Sequence, residues 1–267
     1  MAEPEPRFAA LLDDLAAEHR ALDAVVTALS PAQWDRATPA EGWAVRDQIG
    51  HLHFFDEQAA LAVNDPQAFA AGRDQAFGDF EGYEQKTLAF ARQVEPPELL
   101  DTWRTGRAAL LEAFGRLGGG ERLEWYGPPM SAMSSATARL METWAHGQDV
   151  VDAVGAGERW PATDRLRHIA HLGVRTRGFS YALRGEQAPA ADIRVELTAP
   201  SGDIWEWGPE DATDRVSGPV VDFCLLVTQR RHRDDLALSV TGPAANEWVD
   251  IAQAFAGGVG TGRRPRS

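Results

Sequence analysis

The sequence predicts an α+β protein that is mainly α, with a small α/β region near its C-terminal end. Apolar residues recur at helical spacing through most of residues 1–188. From about residue 189 the pattern changes to the alternation of apolar and polar residues that is typical of strands. The 267 residues are 44% hydrophobic and 25% charged, which suits two modest globular domains.

Five long helices are predicted before residue 188. Each has leucine, alanine or valine residues spaced so that one face of the helix is apolar. Proline opens the third helix, and Ser134 or Ser135 suits the N-cap of the fourth. Thr163 is the expected cap of the fifth helix and Gly185 its stop. The predicted ranges are 7–29, 45–63, 96–117, 136–155 and 163–184.

Residues 64–95 interrupt this helical pattern. They contain the irregular stretches NDPQAF and AGRDQAFGDF, followed by a shorter helical piece, EGYEQKTLAFARQ. We interpret this segment as an insertion or a lid within a helical domain that spans residues 1–188.

The C-terminal third of the chain alternates strands and helices. IRVELTA and IWEWG are predicted as strands, VVDFCLLVTQRR as a helix, LALSVTG as a strand and AANEWVDIAQAFAG as the last helix. We therefore expect a small α/β domain over residues 189–258. The remaining residues, 259–267, are rich in glycine and arginine and are predicted to be disordered.

Composition and charge exclude several classes of function. A net charge of -14 argues against nucleic acid and anionic membranes as partners. The single cysteine, Cys224, excludes an intrachain disulfide and a Cys-rich zinc site, and its apolar surroundings predict a buried, inert thiol. The sequence has no apolar run of about 20 residues and no signal-peptide pattern, so we expect a cytoplasmic protein. It also has no P-loop, GxGxxG, GxSxG or HExxH motif.

The predicted helix 136–155 carries Glu142, His146 and Asp149 along one face, because they are spaced at i, i+4 and i+7. A glutamate and a histidine one turn apart can hold a metal ion, or they can form a solvated surface pair. Asp149 could orient His146 by accepting a hydrogen bond from the ring nitrogen that does not bind the metal.

A third metal donor could come from the stretch GHLHFFDEQ in the second predicted helix. His51 and His53 point about 200° apart on a helix, so the two cannot face the same site. The pattern alone does not choose between them. Two histidines and one glutamate form a known zinc set, and they leave one coordination position open. The same set also suits nickel, iron or manganese.

Two segments together carry a resemblance to a known family. EGWAVRDQIGHL, followed downstream by ATARLMETWAHGQDV, resembles the DinB-like metalloprotein superfamily. The likeness is stronger to the actinobacterial branch that includes mycothiol-dependent maleylpyruvate isomerase, and strongest to a metal-binding subgroup of that branch. The resemblance implies a four-helix bundle with a divalent metal, zinc in the first instance, held by His51, Glu142 and His146. The resemblance thereby implies that the ligand from this helix is His51, which lies eight residues after Trp43, and not His53.

The segment VSGPVVDFCLLVTQRRHRDDLALSVTG is similar to the small α/β domain of the same family, which is related to sterol-carrier folds. That domain contributes an arginine beside the metal, and the resemblance implies Arg230 or Arg231 for this role. A solvated basic turn is the alternative interpretation. Residues 64–95 and the loop WYGPPMSAMS depart from the isomerase pattern, so the substrate stays open.

The resemblance implies a metal-dependent isomerase or S-transferase that acts on a small electrophilic substrate, with the thiol mycothiol as cosubstrate. A metal-dependent hydrolase and a non-catalytic metal- or ligand-binding protein are the alternatives. His19, His168 and His171 could also approach the site, although packed or surface roles are the simpler interpretation of all three. The sequence specifies no oligomeric state.

Overall fold

The computed structural model describes residues 5–78, 80–157, 160 and 162–266. Contacts between residues divide the chain into two compact units, Met1–Trp160 and Pro161–Ser267. The predicted fold class is confirmed, because the first unit is helical and the second contains a small sheet. Among the described residues, no helix is both long enough and apolar enough to cross a membrane.

The first unit is built around four long helices. Each of α1 and α3 packs against both α6 and α7, which closes the bundle around buried apolar side chains that include Leu15, Ile49, Trp103 and Leu140. The elements are α1 (Pro6–Thr27), α2 (Pro31–Trp34), α3 (Val45–Asn64), α4 (Pro66–Gly78), α5 (Phe80–Gln93), α6 (Pro96–Phe114), β1 (Arg122–Leu123), β2 (Met130–Ser131) and α7 (Ala132–Val154).

Residues that the sequence predicts as irregular form helix α4, whereas α5 corresponds to the predicted helical piece EGYEQKTLAFARQ. Asp65 caps α4, since its Oδ1 accepts a hydrogen bond from the backbone N–H of Ala68 at 3.0 Å. α5 packs closely on α3, where a Cβ atom on Gly50 would overlap the side chain of Ala91. The helical pattern is weak in the sequence of α4 because Gly72 interrupts it.

The predicted N-cap of α7, Ser134 or Ser135, was wrong by three or four residues. Ser131 is the N-cap, and its Oγ accepts a hydrogen bond from the backbone N–H of Ser134 at 3.1 Å. The helix begins here because the short β1–β2 ladder delivers the chain at Ser131. At the other end, Gly155 takes the left-handed conformation that stops a helix.

The second unit packs helices against a four-stranded sheet of order β4-β3-β5-β6. β3 and β5 are parallel, and the other neighbouring pairs are antiparallel. The elements are α8 (Leu166–Arg175), α9 (Arg177–Ala182), β3 (Ile193–Thr198), β4 (Ile204–Trp207), β5 (Asp214–Pro219), α10 (Val220–Val227), β6 (Ser239–Thr241) and α11 (Pro243–Ile251).

Three details of the second unit differ from the sequence prediction. The predicted helix 163–184 is divided at Thr176, whose hydroxyl donates back to the carbonyls of Leu172 and Gly173 and so competes with the helical hydrogen bonds. The sequence pattern missed β5, which ends in Gly-Pro and is recognisable only through its pairing with β3 and β6. The last helix ends at Ile251, earlier than expected.

The two units meet in sequence near residue 160, whereas the change in sequence pattern lies near residue 188. Helices α8 and α9 belong with the sheet because α8 packs on α10. The approach is close at Gly173, where a Cβ atom would lie 2.8 Å from the side chain of Val227.

Candidate metal centre

One histidine of α3 and two residues of α7 converge inside the first unit. His51, Glu142 and His146 each offer a ligand atom, and these three atoms all lie within 4.8 Å of one another. Glu142 Oε2 is 3.0 Å from His146 Nε2 and 3.6 Å from His51 Nε2. The convergence follows from the packing of α3 against α7 and from the one-turn spacing of the two α7 residues.

Aromatic side chains fix the orientation of both imidazole rings. The Trp43 ring stacks on His146, with the two planes 16° apart and the centroids separated by 5.9 Å, and it also contacts His51. Phe55 packs on the other histidine, 4.6 Å from the His51 centroid. Rings held in this way lose little further freedom when a ligand binds.

A chain of hydrogen bonds assigns the proton on His146. The carbonyl of Trp43 can only accept, so the Thr38 hydroxyl donates to it at 2.9 Å. Thr38 Oγ1 in turn accepts from the Gln48 amide at 2.9 Å, which directs Gln48 Oε1 to His146 Nδ1 at 2.5 Å. Nδ1 therefore carries a proton, and Nε2, which faces Glu142, is the ring nitrogen that a metal ion could bind.

This arrangement fits a bound cation. His146 Nε2 and a carboxylate oxygen of Glu142 lie 3.0 Å apart, so either a proton or a bound cation can bridge them. Burial by itself would raise the pKa of Glu142, but the neighbouring His146 and His51 hold it well below its usual range. Two imidazoles and an ionised glutamate are a donor set that zinc accepts, with one position left for another ligand.

Asp149 is the residue that the sequence predicts to orient His146, but the His146 Nδ1 atom contacts Gln48 Oε1 in the structure. Gln48 lies three residues before His51 on α3 and reaches His146 across the helix pair. No sequence motif distinguishes a glutamine in this role, so only the three-dimensional packing reveals it.

His53 lies away from the three converging residues. Its Nε2 is 3.5 Å from Glu57, and its ring contacts Phe90. Gly106 of α6 leaves room for the ring, because a Cβ atom there would lie 3.3 Å from His53 Nδ1. The structure therefore brings His51, and not His53, together with Glu142 and His146.

His19 belongs to a separate buried group, which we call the Asp56 cluster: His19, Asp56 and Arg139. Arg139 Nε donates to Asp56 Oδ1 at 2.9 Å, and His19 Nε2 lies 3.9 Å from Asp56 Oδ2. Only 1% of His19 is exposed, and burial lowers its pKa to about 4 despite the nearby Asp56 carboxylate. Arg139 could have been noticed in the sequence, because it shares a helical face with Glu142 and His146.

An aromatic group adjoins the candidate site, through Phe55, at the loop that the sequence argument singled out. Trp125 and Tyr126 pack against Phe55 and Phe69, and the Tyr126 hydroxyl donates to Gln58 at 3.1 Å. Because Phe55 also contacts His51, this group extends apolar surface up to the candidate metal ligands.

Arg230 and Arg231 lie in the second unit, in the loop after α10. Both are half-buried, and each donates to a nearby backbone carbonyl: Arg230 to Thr228 and Arg231 to Arg230, both at 2.7 Å. Their role beside a metal stays a prediction.

Two further sequence expectations concern the second unit. His171, on α8, accepts a hydrogen bond from Trp207 Nε1 at 3.1 Å. Burial, followed by the charge of Arg175, lowers the pKa of His171. His168 lies one turn earlier on α8. Cys224 is fully buried, as the sequence predicts, and burial raises its thiol pKa well above the usual range.

A helical bundle with a His-Glu-His convergence between two helices, followed by a small α/β unit, defines a protein of the DinB-like fold. The chain belongs to the family described as "Mycothiol maleylpyruvate isomerase N-terminal domain", whose model matches residues 15–151. A second family model, described as "Wyosine base formation", matches residues 189–239.

Similar proteins are found among sequences and among solved structures. Two proteins described as uncharacterized, from two strains of Mycobacterium tuberculosis, are each 48% identical over 263 residues, which is 98% of this chain and 100% of the relative. Crystal structures of the mycothiol-dependent maleylpyruvate isomerase and of a histidine-to-alanine mutant of it match with TM-scores of 0.55 and 0.56. They are 15% and 14% identical and cover 89% of this chain and 95% of theirs, so the likeness shows the fold.

Proposed function

We propose that this chain is a divalent-metal-dependent, thiol-assisted enzyme, either an isomerase or an S-transferase that acts on a small electrophilic substrate. The observation that carries the proposal is the convergence of His51, Glu142 and His146 in a member of the mycothiol maleylpyruvate isomerase family. Family membership supports the thiol, and the donor set supports the metal. Mycothiol is the proposed cosubstrate, and zinc is the proposed metal.

Each residue of the site has a defined task in this proposal. His51, Glu142 and His146 hold the cation, and Gln48 keeps the Nε2 lone pair of His146 directed toward it. The cation, when bound, favours the ionised form of a thiol at the remaining position. Glu142 contributes one negative charge, which leaves a divalent site with net positive charge for a thiolate. The ring of Trp43 covers both histidines on one side.

The thiol is the proposed nucleophile, so no side chain of this chain needs to attack the substrate. The thiolate adds to one carbon of a conjugated double bond, and the π electron pair moves onto the conjugated electron-withdrawing group, which leaves a single bond free to rotate. Return of the electron pair expels the thiolate, re-forms the double bond and gives the isomer, whereas uptake of a proton at the neighbouring carbon keeps the thiol on the substrate and gives S-transfer. The burial and raised pKa of Cys224 accord with a nucleophile that is not part of the protein.

Arg230 or Arg231 is the proposed binding group for a carboxylate of the substrate. A guanidinium can donate two parallel hydrogen bonds to a carboxylate, which fixes its orientation as well as its charge. Comparison of Arg230→Gln with Arg231→Gln tests the assignment, because the correct variant raises KM for an anionic substrate at least tenfold and the other does not.

Calorimetric titration of mycothiol into zinc-loaded protein tests the function most simply. We expect binding by the unsubstituted protein, loss of binding in His51→Ala, and retention in the control variant His53→Ala, which removes a histidine on the other side of the same helix. Absence of mycothiol binding by the zinc-loaded protein contradicts the proposal. Substrate turnover in thiol-free buffer would support a metal-dependent hydrolase instead, and zinc retention without any ligand binding would support a non-catalytic protein.

A further inference from the structure

Four aromatic residues of the first unit form a continuous surface that begins at a candidate metal ligand. We call Phe55, Phe69, Trp125 and Tyr126 the aromatic wall. The Phe55 ring centroid lies 4.6 Å from that of His51, and it lies 6.2 and 5.9 Å from those of Trp125 and Tyr126. Phe69 contacts the same two rings, at 5.7 and 5.3 Å. Each ring therefore contacts the next, from the metal ligand to the loop before β2.

Three rings of the aromatic wall keep part of their surface accessible. Phe55, Trp125 and Tyr126 are half-buried, whereas Phe69 is fully buried against them. The aromatic rings that only fill the core of the bundle, such as Trp103, are by contrast completely covered. Partly accessible aromatic rings next to a candidate reaction centre are typical of the lining of a ligand site.

The candidate metal ligands are also accessible, next to the aromatic wall. The side chains of His51 and Glu142 are 19% and 20% exposed. Phe55 lies one turn after His51 on α3, so the two rings extend from the same face of the helix. A molecule with one end at the candidate metal position can therefore place its remaining atoms along the wall.

Contacts from outside the four long helices hold the aromatic wall in place. Phe69, from α4, stacks on Trp125 with the two planes 7° apart. Arg73, also from α4, donates to the carbonyl of Trp125 at 3.4 Å. The Tyr126 hydroxyl donates to Gln58 at 3.1 Å. Rings that are ordered in advance lose little further freedom when a ligand binds against them.

The chemistry of the aromatic wall favours an aromatic ligand group over a charged one. Aromatic rings attract one another in stacked and edge-to-face arrangements, in addition to the gain from burying apolar surface. The cation beside the wall, Arg73, is already paired with Glu124 at 2.8 Å and with Asp74 at 3.3 Å. The accessible surface that the wall offers is therefore mainly that of its rings.

We propose that the electrophilic substrate carries an aromatic ring, which binds against Phe55, Trp125 and Tyr126 while its reactive double bond lies at the metal centre. The inference rests on the proposed function and narrows its substrate class to α,β-unsaturated carbonyl compounds with an aryl group. The three residues then determine specificity, and none of them takes part in the bond changes.

Unreactive ligands test the aromatic wall without any turnover. Benzoylpropionate, its cyclohexyl analogue and levulinate are saturated keto acids that differ only in the group on the ketone, which is phenyl, cyclohexyl or methyl. In calorimetric titrations of zinc-loaded protein, we expect benzoylpropionate to bind at least tenfold more tightly than levulinate and more tightly than the cyclohexyl compound. Equal affinities for the phenyl and cyclohexyl compounds, or no binding of benzoylpropionate at millimolar concentration, would overturn the proposal.

Substitution of Trp125 locates the binding of the aromatic group. Trp125→Leu removes one ring of the wall, and the matched control is Phe77→Leu, because Phe77 belongs to α4 but not to the wall and is 62% exposed. We expect Trp125→Leu to weaken benzoylpropionate binding about tenfold and to leave levulinate binding unchanged. Phe77→Leu should bind both like the unsubstituted protein, and Trp125→Phe should restore most of the affinity. Equal benzoylpropionate binding by Trp125→Leu and Phe77→Leu would overturn the proposal.

Mycothiol binding separates this proposal from the proposed function. Trp125→Leu should bind zinc and mycothiol as the unsubstituted protein does, because the metal ligands are intact. If that variant loses mycothiol binding but keeps benzoylpropionate binding, the wall binds the thiol and the substrate assignment is overturned. A preference for the phenyl ligand in protein that does not bind mycothiol would contradict the proposed function alone. Mycothiol binding without a preference for the phenyl ligand would contradict this inference alone.

Discussion

Two polar groups join α3 to α7, and one of them, the Asp56 cluster, also includes His19 of α1. Each contains a carboxylate with a histidine close to it. In the Asp56 cluster the carboxylate also receives a guanidinium at 2.9 Å, whereas in the candidate metal centre it faces a second histidine at 3.6 Å. The members are His19, Asp56 and Arg139 in the first group, and His51, Glu142 and His146 in the second.

This difference decides which group can accept a cation. A guanidinium keeps its charge at every accessible pH and has no lone pair to offer, so in the Asp56 cluster Arg139 already balances the charge of the carboxylate. A histidine can present a lone pair, and the hydrogen bond to Gln48 makes His146 do so. The Asp56 cluster therefore links α3 to α7, and the other group is left with a charge that a metal ion would balance.

The largest effect that we expect comes from breaking the Asp56 cluster. Arg139→Met leaves the Asp56 carboxylate buried without its guanidinium, which should lower the free energy of unfolding by about 3–5 kcal/mol. The control is Arg104→Met, which removes an arginine that is 38% exposed from its pair with Asp23 and should cost about 1 kcal/mol or less. Denaturant unfolding measures the free energy of unfolding of both variants. Equal losses in the two variants would contradict the assignment of Arg139 as the essential partner of a buried carboxylate.

The second-largest effect that we expect is a dependence of stability on pH, which comes from His19 in the Asp56 cluster. The pKa of His19 falls from 6.5 in the unfolded chain to about 4 in the folded protein, so below pH 6.5 the unfolded state binds the extra proton. Stability is therefore complete above pH 6.5 and declines as the pH falls toward 4, by about 3 kcal/mol from this group. Unfolding measured across this range should show a smaller slope for His19→Gln, and an unchanged slope would argue against a buried neutral His19.

Substitution of the metal-facing carboxylate should change binding much more than folding. Glu142→Gln removes the one anionic ligand, and we expect at least about a 100-fold loss of zinc affinity in competition with a chromophoric chelator. Because Glu142 is 20% exposed and lacks an arginine partner in the described ion pairs, the metal-free variant should lose less free energy of unfolding than Arg139→Met. A large loss of stability without loss of zinc affinity would reverse the roles assigned to the two groups.

The smallest effect that we expect comes from substitution of Gln48, whose side-chain oxygen accepts the hydrogen bond from His146 Nδ1. Gln48→Leu removes the acceptor for the Nδ1 proton and should weaken zinc binding by about 10- to 100-fold. Gln48→Glu keeps an acceptor at that position and should restore most of the affinity. If the two variants bind zinc equally well, Gln48 does not set the orientation of His146.

The sequence contains more information about the fold than about the candidate site. The four bundle helices follow from apolar periodicity, but α4 lacks a clear pattern and β5 has no strand signal apart from its partners. At the site, spacing alone pairs Glu142 with His146, whereas the preference for His51 over His53 came from family resemblance. Gln48 and Asp56 act across helices, and such pairings depend on how α3 packs against α7.

The central claim is that His51, Glu142 and His146 jointly bind one divalent cation. Diffraction data collected at the zinc absorption edge from crystals of zinc-loaded protein test it most directly. We expect one anomalous peak at about 2.0–2.2 Å from a nitrogen of each histidine and from a Glu142 oxygen. A map without a peak between these three side chains, or with the ion bound elsewhere, would contradict the account.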